Sequence, residues 1–260
     1  MIVPRPSSSF TGTNPAPLAM RAAGLGKMMD ERSVLISIDL SIAAGEFVAI
    51  LGTNGAGKTT LLKILATLMP PTAGWLQLFG LDVPRQAAQA RARLGLIGHQ
   101  SMLYRDLTAR ENLELFARLY GVENPRRRAE ELLSIVGMIE RADDAVKTFS
   151  RGMCQRVSIA RALVHEPDLV LADEPFAGLD VPGAAAVERL LSDLHAAGKT
   201  IVMVNHDVLQ SLRLADRVIV LSAGTIAIDQ PARIADAPGI LAELAGTDRR
   251  LDLMGERQCH

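Results

Sequence analysis

The sequence has few aromatic residues, only two cysteines and no long apolar run. Aromatics make up 3% of the 260 residues, so leucine, isoleucine, valine and alanine must build the core. Cys154 and Cys259 lie far apart without metal-type spacing, which excludes a disulfide framework and favours a reducing cytoplasm. No stretch of about 18 apolar residues occurs, and the Pro/Ser-rich start lacks the order of a signal peptide. We therefore expect that other chains cross the membrane if this protein serves one.

The charges of the chain nearly cancel. The 28 basic and 29 acidic residues give a formal net charge of −1. This balance gives no sign of a nucleic-acid surface or of strong electrostatic attraction to a membrane, and we expect no nucleic-acid partner. A length of 260 residues suits one α/β domain with a subdomain and is tight for two independent domains.

The chain divides into one folded unit and two tails. Residues 1–18 are rich in Pro, Ser and Thr and carry too little apolar surface to offset ordering, which predicts a flexible tail. Residues 19–245 are predicted to form the domain, with a mostly helical subdomain at about residues 86–165. A polar C-terminal tail is expected at 246–260.

Strand and helix signals alternate within the domain. Val34–Ile42 alternates apolar and polar residues, and Phe47–Leu51 is a continuous apolar run, which predicts a half-exposed strand followed by a buried one. The motif from Thr108 to Glu111 fits a capping box that opens a helix. The alternation predicts an α/β fold with a mainly parallel, doubly wound sheet. The remaining predicted helices and strands are Thr60–Leu68, Thr108–Tyr120 and Ala184–Ala197, and Trp75–Phe79, Leu169–Ala172, Thr200–Val204 and Arg217–Leu221.

A glycine-rich loop joins the buried strand to the first helix and matches the phosphate-loop pattern. Its glycines let backbone N–H groups curl round phosphates, and the helix N-terminus adds positive potential. Lys58 would reach the β- and γ-phosphates, and Thr59 would hold Mg²⁺. A plain glycine-rich turn is the alternative, but the four fixed positions and the strand-loop-helix context favour a nucleotide site. Its predicted binding residues are Gly52, Thr53, Asn54, Gly55, Ala56, Gly57, Lys58, Thr59 and Thr60.

A second motif is an apolar strand that ends in two acids, Asp173 and Glu174. Parallel sheets place ligands beyond the carboxyl ends of their strands, so Asp173 would face a Mg²⁺ ion and Glu174 an attacking water. Taken alone, the motif is equally typical of a core strand that ends in a solvated turn at Pro175. Beside the phosphate loop, the catalytic interpretation is favoured.

Four further motifs carry a resemblance to a known family. Phe149–Met153, with Gln155, Arg156 and the helix Ile159–Leu163, resembles the signature motif of ABC ATPases and lies just upstream of the acidic strand. The other three, a Q-loop glutamine, a D-loop and a switch histidine, are similar to Gln100, Ala177–Asp180 and His206. The resemblance covers roughly residues 20–229.

Each of these residues has an ordinary structural alternative when it is taken singly. Gln100 fits any loop, His206 fits a core histidine, and Asp180 fits a helix N-cap ahead of Pro182. The order and spacing of the motifs together favour the family.

The resemblance implies a P-loop NTPase fold of the ABC type, with an antiparallel β-subdomain and a helical subdomain. It implies ATP and Mg²⁺ as cofactors and a pair of chains that meet head to tail. Ser150 and Gly152 of one chain, with Asp180, would then contact the nucleotide held by the other. The implied catalytic residues are Lys58, Glu174 and His206, and the implied Mg²⁺ ligands are Thr59, Gln100 and Asp173.

Three positions depart from the family pattern. Arg151 and Met153 replace the more frequent Gly and Gln of the signature motif, which resembles a form found in exporter ATPases. Met29 stands where many relatives place an aromatic ring on adenine. A thioether gives adaptable apolar contact with less geometric preference, so weaker base selectivity is expected.

Within the family, His99 before Gln100 and Tyr104 after it resemble the heme exporter ATPase of cytochrome c maturation. The alternatives are another ABC-2-type exporter, for drugs, lipids or polysaccharides, and a soluble ABC ATPase such as an Fe–S assembly factor. The transporter interpretation implies integral membrane subunits, a second ATPase subunit and a peripheral location on the cytoplasmic face of the inner or plasma membrane.

Overall fold

A computed structural model describes residues 17–83, 85–98 and 100–245. The strands within these residues are β1 Leu18–Met29, β2 Arg32–Ala43, β3 Phe47–Gly52, β4 Ala73–Leu78, β5 Leu81–Val83, β6 Leu94–Ile97, β7 Leu169–Asp173, β8 Thr200–Val204, β9 Arg217–Ser222 and β10 Thr225–Pro231. The α-helices are α1 Lys58–Leu65, α2 Ala87–Arg91, α3 Ala109–Leu119, α4 Pro125–Ile135, α5 Arg151–Ala162, α6 Val181–Ala196, α7 Val208–Leu214 and α8 at 237–245.

The central sheet has the strand order β10-β9-β3-β8-β7-β6. The strands from β9 to β6 run parallel, and β10 joins antiparallel at the edge. Ile50 and Asp173 both pair with Val204, so the carboxyl ends of β3, β7 and β8 meet along one edge of the sheet. This confirms the predicted doubly wound α/β fold, and it fixes the edge at which a ligand site belongs.

Both faces of the central sheet are buried. Phe47, Ala49 and Leu51 point into the core on the side of the helical region, whereas Val48 and Ile50 point into the core on the other side. Side chains alternate across a strand, so a continuous apolar run is what a doubly covered strand requires.

The second sheet is antiparallel and has the order β2-β1-β4-β5. It covers the α1 side of the central sheet, and its residues Leu35 and Leu76 share a core with Leu61 of α1. The antiparallel β-subdomain is thereby confirmed. The long strand β1 contains several register shifts against β2, which break the alternation that a sequence pattern would detect; no strand was predicted there.

The region at about 86–165, predicted to be mostly helical, holds four α-helices and one strand among its described residues. It contains β6, the edge strand of the central sheet, which pairs in parallel with β7. A four-residue strand that includes Gly95 is too short and too weak in β-propensity to stand out between helices. The helices α3, α4 and α5 pack together beside it.

Several predicted boundaries also shift. The first helix ends at Leu65 rather than Leu68, because Thr67 adopts a left-handed backbone with φ 59°. The helix predicted from Ala184 begins at Val181, with Asp180 as its N-cap. Leu18, the last residue of the predicted N-terminal tail, belongs to β1. Residues 1–16 and 246–260, which hold the predicted tails, lie outside the described residues.

The end of α5 is tied to β6 through backbone carbonyls. Arg161 Nη2 donates to Leu96 O at 2.6 Å, and His165 Nε2 lies 3.1 Å from Leu94 O. Because a carbonyl only accepts, Nε2 of His165 carries the proton. The imidazole also stacks on Tyr120, with ring centroids 3.8 Å apart.

Burial lowers the pKa of His165 below 6.5, and the positive charges of Arg161, Arg128 and Lys199 lower it further, although the bond to Leu94 O opposes this. Its Nδ1 has no hydrogen-bond partner within the described part of the chain. Protonation therefore favours the unfolded chain, which binds more protons below pH 6.5.

We predict that His165 makes the fold less stable as the pH falls through about 6.5. In His165→Gln, a side chain that can still donate to Leu94 O, the loss of Tm between pH 7.5 and 5.5 should be smaller than in the unsubstituted protein. Thermal unfolding at both pH values measures this difference. An identical loss in both proteins would contradict the assignment.

Candidate functional site

The phosphate loop lies at the end of β3 and is packed closely against β2. Gly57 caps α1 with φ 100°, a conformation that side chains disfavour. A Cβ on Gly57 would lie 2.8 Å from both Val34 O and Leu35 Cδ2. The loop therefore requires glycine here for its backbone angle and for space.

Lys58 folds back over the loop. Its Nζ donates to Gly52 O at 2.7 Å and to Thr53 O at 2.8 Å, and the residue is 7% exposed. A cavity of about 230 Å³ opens beside it. The residues that line this cavity are Val34, Asn54, Gly55, Gly57, Lys58, Thr59, Thr60, Glu174 and His206.

Glu174 and His206 meet in this cavity from two neighbouring strand ends. His206 Nε2 lies 2.6 Å from Glu174 Oε1, and the side chains are 48% and 34% exposed, respectively. Glu174 has φ 51°, and its N–H donates to Val204 O at 3.0 Å. The N–H of His206 donates to Asn205 Oδ1. The backbone thus aims both side chains at the phosphate loop.

A second cavity, of about 330 Å³, adjoins the first. Three residues predicted as Mg²⁺ ligands, Thr59, Gln100 and Asp173, line it together with Glu174. Asp173 is 6% exposed at the end of β7, and Gln100 is exposed in the loop after β6. A hydroxyl, an amide and a carboxylate offer the oxygen donors that Mg²⁺ prefers, so the residues fit such an ion. His99 lies outside the described residues.

The signature residues lie apart from the phosphate-loop cavity of their own chain. Ser150 is the exposed N-cap of α5, and its Oγ accepts from Met153 N at 3.3 Å. Gly152 packs against the backbone of Gly178. The exposed N-terminus of this twelve-residue helix has a serine N-cap and no acid in its first turn, which makes it a favourable position for an anion supplied from outside the chain.

Asp180 has the structural role that its sequence also suggested. Its Oδ1 accepts from Gly183 N at 3.1 Å as the N-cap of α6 and lies 2.6 Å from Arg156 Nη2. Met29 ends β1 at a hairpin and is 37% exposed. Neither residue lines the phosphate-loop cavity.

Comparison with known proteins identifies the family. The family described as "ABC transporter" matches residues 35–177. The daunorubicin resistance ATP-binding protein DrrA3 of Streptomyces coeruleorubidus is 38% identical over 81% of this chain and 67% of that protein. The chain belongs to the ABC transporter family. The family assignment makes the chain an ATP-binding, ATP-hydrolysing ABC domain.

Two further comparisons agree with this ABC domain. The Nod factor export ATP-binding protein I of Cupriavidus metallidurans is 36% identical over 81% of this chain and 71% of that protein. The dimeric ATP-binding cassette MJ0796 in a post-hydrolysis state, bound to ADP and Pi, has a TM-score of 0.77 and 32% identity. That match covers 82% of this chain and 99% of the cassette. None of the helices in the described part of the chain has the length and hydrophobicity of a membrane span.

Sequence reasoning missed a residue that shapes the loop after Gln100. Asn112 of α3 is fully buried, and its Oδ1 accepts from Tyr104 N at 2.8 Å. Its Nδ2 donates to Tyr104 O at 3.0 Å and to Thr108 O at 2.8 Å. In the sequence, an asparagine where the helical spacing calls for an apolar residue was the available signal.

Asn112→Leu should lower the free energy of unfolding by about 1–3 kcal/mol, because the N–H of Tyr104 loses its acceptor and the buried amide contacts to Tyr104 O and Thr108 O are lost. Urea unfolding measures the change. The matched control is Asn124→Leu, since Asn124 is exposed and makes no capping hydrogen bond; it should change stability by less than about 0.5 kcal/mol. Equal effects would show that the network does not stabilise the loop.

Proposed function

We propose that this chain is the ATP-binding and hydrolysing subunit of an exporter, that it works as a pair, and that it drives integral membrane subunits. The observation that carries the proposal is the convergence of Lys58, Glu174 and His206 on one cavity at the strand ends. A phosphate-binding cation, a carboxylate and an imidazole in one cavity suit phosphoryl transfer to water.

The phosphates of ATP would lie in the loop from Gly52 to Thr59, against the N-terminus of α1. Lys58 already points its amine at the loop carbonyls, so its charge is held where phosphate oxygens would arrive. Thr60 also lines the cavity. Met29 would contact adenine only through a flexible thioether, and weaker selectivity for the base remains our expectation.

Mg²⁺, when bound, would neutralise charge on the β- and γ-phosphates. Thr59, Gln100 and Asp173 would hold it, since all three line one cavity and offer oxygen donors. Asp173 is nearly buried while Gln100 is exposed in its loop, so Gln100 is the ligand best able to adjust its position.

Glu174 would orient the attacking water and accept its proton. Its carboxylate is anchored to His206 at 2.6 Å, and the left-handed backbone at Glu174 keeps it at the mouth of the cavity. His206 would then donate to the γ-phosphate once nucleotide is present. Positioned groups of this kind accelerate the reaction by orientation and by charge stabilisation.

A second ATPase subunit would complete the site. Ser150 and Gly152 do not line the phosphate-loop cavity of their own chain, and Ser150 is exposed at the N-cap of α5, so this turn would contact the nucleotide of another copy. The similar cassette MJ0796 is dimeric with ADP and Pi. Closing the pair on ATP and releasing it after hydrolysis would move membrane subunits on the cytoplasmic face of the membrane.

The cargo is proposed to be a small organic molecule that is exported. One relative is named for daunorubicin resistance and another for Nod factor export, and these names favour the alternative of another ABC-2-type exporter over heme export. Tyr104, one of the two residues behind the heme interpretation, is 56% exposed and held by Asn112. Asn112 holds the backbone of Tyr104, and the ring of Tyr104 lies 6.3 Å from that of Phe116; none of these contacts requires heme.

Glu174→Gln should bind ATP normally but hydrolyse it at least about a hundredfold more slowly, because the group that accepts the proton is lost. It should also accumulate as an ATP-dependent dimer. Turnover assays, a fluorescent ATP analogue and size-exclusion chromatography measure the three properties. Lys58→Ala is the control that should lose binding itself, and a Glu174→Gln protein with normal turnover would refute the role of Glu174.

The export proposal predicts co-purification of multi-spanning membrane subunits when the tagged chain is extracted from its native membrane in detergent. Adding daunorubicin, a Nod factor or heme to that complex and measuring ATP turnover distinguishes the cargo classes. Stimulation of about twofold or more by one of the first two supports our proposal. Stimulation by heme alone would favour the heme interpretation, and absence of membrane subunits would contradict a transporter role.

A further inference from the structure

One face of α5 lies against the segment that follows Glu174. The α5 residues on this face are Arg151, Gly152, Gln155 and Arg156, and they contact residues 175–183. Their spacing of one and four residues places them on adjacent turns of one helix face. We call this set of contacts the clasp.

The first turn of the clasp depends on two glycines. A Cβ on Gly152 would lie 2.9 Å from Gly178 O, and a Cβ on Gly178 would lie 3.1 Å from Arg151 Cδ. Gly178 also has φ +75°. The backbone at Gly152 therefore lies in direct contact with the backbone at Gly178, and the apolar stem of Arg151 packs against Gly178.

The second turn adds two polar contacts. Gln155, which is 8% exposed, donates through Nε2 to Pro175 O at 3.4 Å. Arg156 Nη2 lies 2.6 Å from Asp180 Oδ1, with side chains 22% and 63% exposed. A Cβ on Gly183 would lie 2.7 Å from Arg156 Nη2, so the guanidinium lies against the first turn of α6.

The clasp connects two residues that the proposed function assigns to different nucleotides. Glu174 directly precedes Pro175 and lines the cavity of its own chain, whereas Ser150 directly precedes Arg151 and is exposed at the N-cap of α5. A cavity of about 240 Å³ between the two segments is lined by Arg151, Gln155 and Glu174. The clasp therefore begins one residue after Ser150 on α5, and its other segment begins one residue after Glu174.

We propose that Arg156 is a positioning residue, which fixes the serine turn of α5 relative to Glu174 through its ion pair with Asp180. The proposal rests on the proposed function, since it assumes that Glu174 and Ser150 act on bound ATP. Arg156 touches neither the phosphate loop nor the cavity beside it. Its loss should therefore lower kcat and leave nucleotide binding unchanged.

Arg156→Met keeps most of the apolar stem and removes the ion pair. We expect kcat for ATP to fall about tenfold or more, because misplacement of reacting groups is costly, while the Kd for a fluorescent ATP analogue changes less than about twofold. Arg156→Lys, which can restore one ion-pair contact, should recover part of kcat. Unchanged kcat in Arg156→Met would overturn the proposal.

Arg128→Met is the matched control for lost stability. Arg128 is 20% exposed and donates to Leu163 O and Val164 O, so it holds the opposite end of α5. We expect a lower Tm with kcat within about twofold of the unsubstituted protein. If Arg128→Met lost as much kcat as Arg156→Met, general loosening of the helix would explain both, and the positioning role would fail.

A double-mutant cycle tests the contact itself. Asp180→Asn keeps an oxygen that can cap α6 but removes the charge facing Arg156. If the two residues act through one contact, adding Arg156→Met to Asp180→Asn should lower kcat by less than about twofold more. Independent, multiplied losses would overturn the proposal. An unsubstituted chain that neither binds nor hydrolyses ATP would instead refute the proposed function, so the two failures are distinguishable.

Discussion

The parallel register of β3, β7 and β8 is the constraint on which the rest of the structure depends. Because Ile50 and Asp173 both pair with Val204, the three strands stop at nearly the same level. The phosphate loop, the two acids and the segment leading to His206 therefore leave the sheet side by side. The hydrogen bonds between the strands align their ends, and this alignment brings Lys58, Glu174 and His206 to one edge of the sheet.

The same edge shows how an unfavourable local conformation is maintained. Glu174 has a left-handed backbone, which costs about 1 kcal/mol or more for a residue with a side chain. Its N–H bond to Val204 O and the contact of Gln155 with Pro175 O hold both sides of this turn. In this backbone conformation the Glu174 carboxylate lies 2.6 Å from His206 Nε2.

Much of this arrangement could be predicted where the signal is local. The buried run of β3, the phosphate loop, the acids after β7 and the capping box at Thr108, whose reciprocal hydrogen bonds are present, are all read from a few consecutive residues. β1, β6 and β10 were not predicted, because bulges, shortness or an edge position weaken their periodicity. Contacts such as Arg156 with Asp180 join residues 24 apart, and only the packing of α5 on α6 brings them together.

The charges around the proposed ATP site indicate that one chain alone supplies too little positive charge for the nucleotide. The carboxylate of Glu174 would repel phosphates, and Lys58 and His206 are the basic residues that line the same cavity. Even with Mg²⁺ bound, the phosphates and the carboxylate together would carry more negative charge than the metal and Lys58 balance. The first turn of α5 has Arg151, a positive helix terminus and no acid, so a second copy would bring the missing positive potential. On this argument ATP itself favours the closed pair, and loss of the γ-phosphate weakens it.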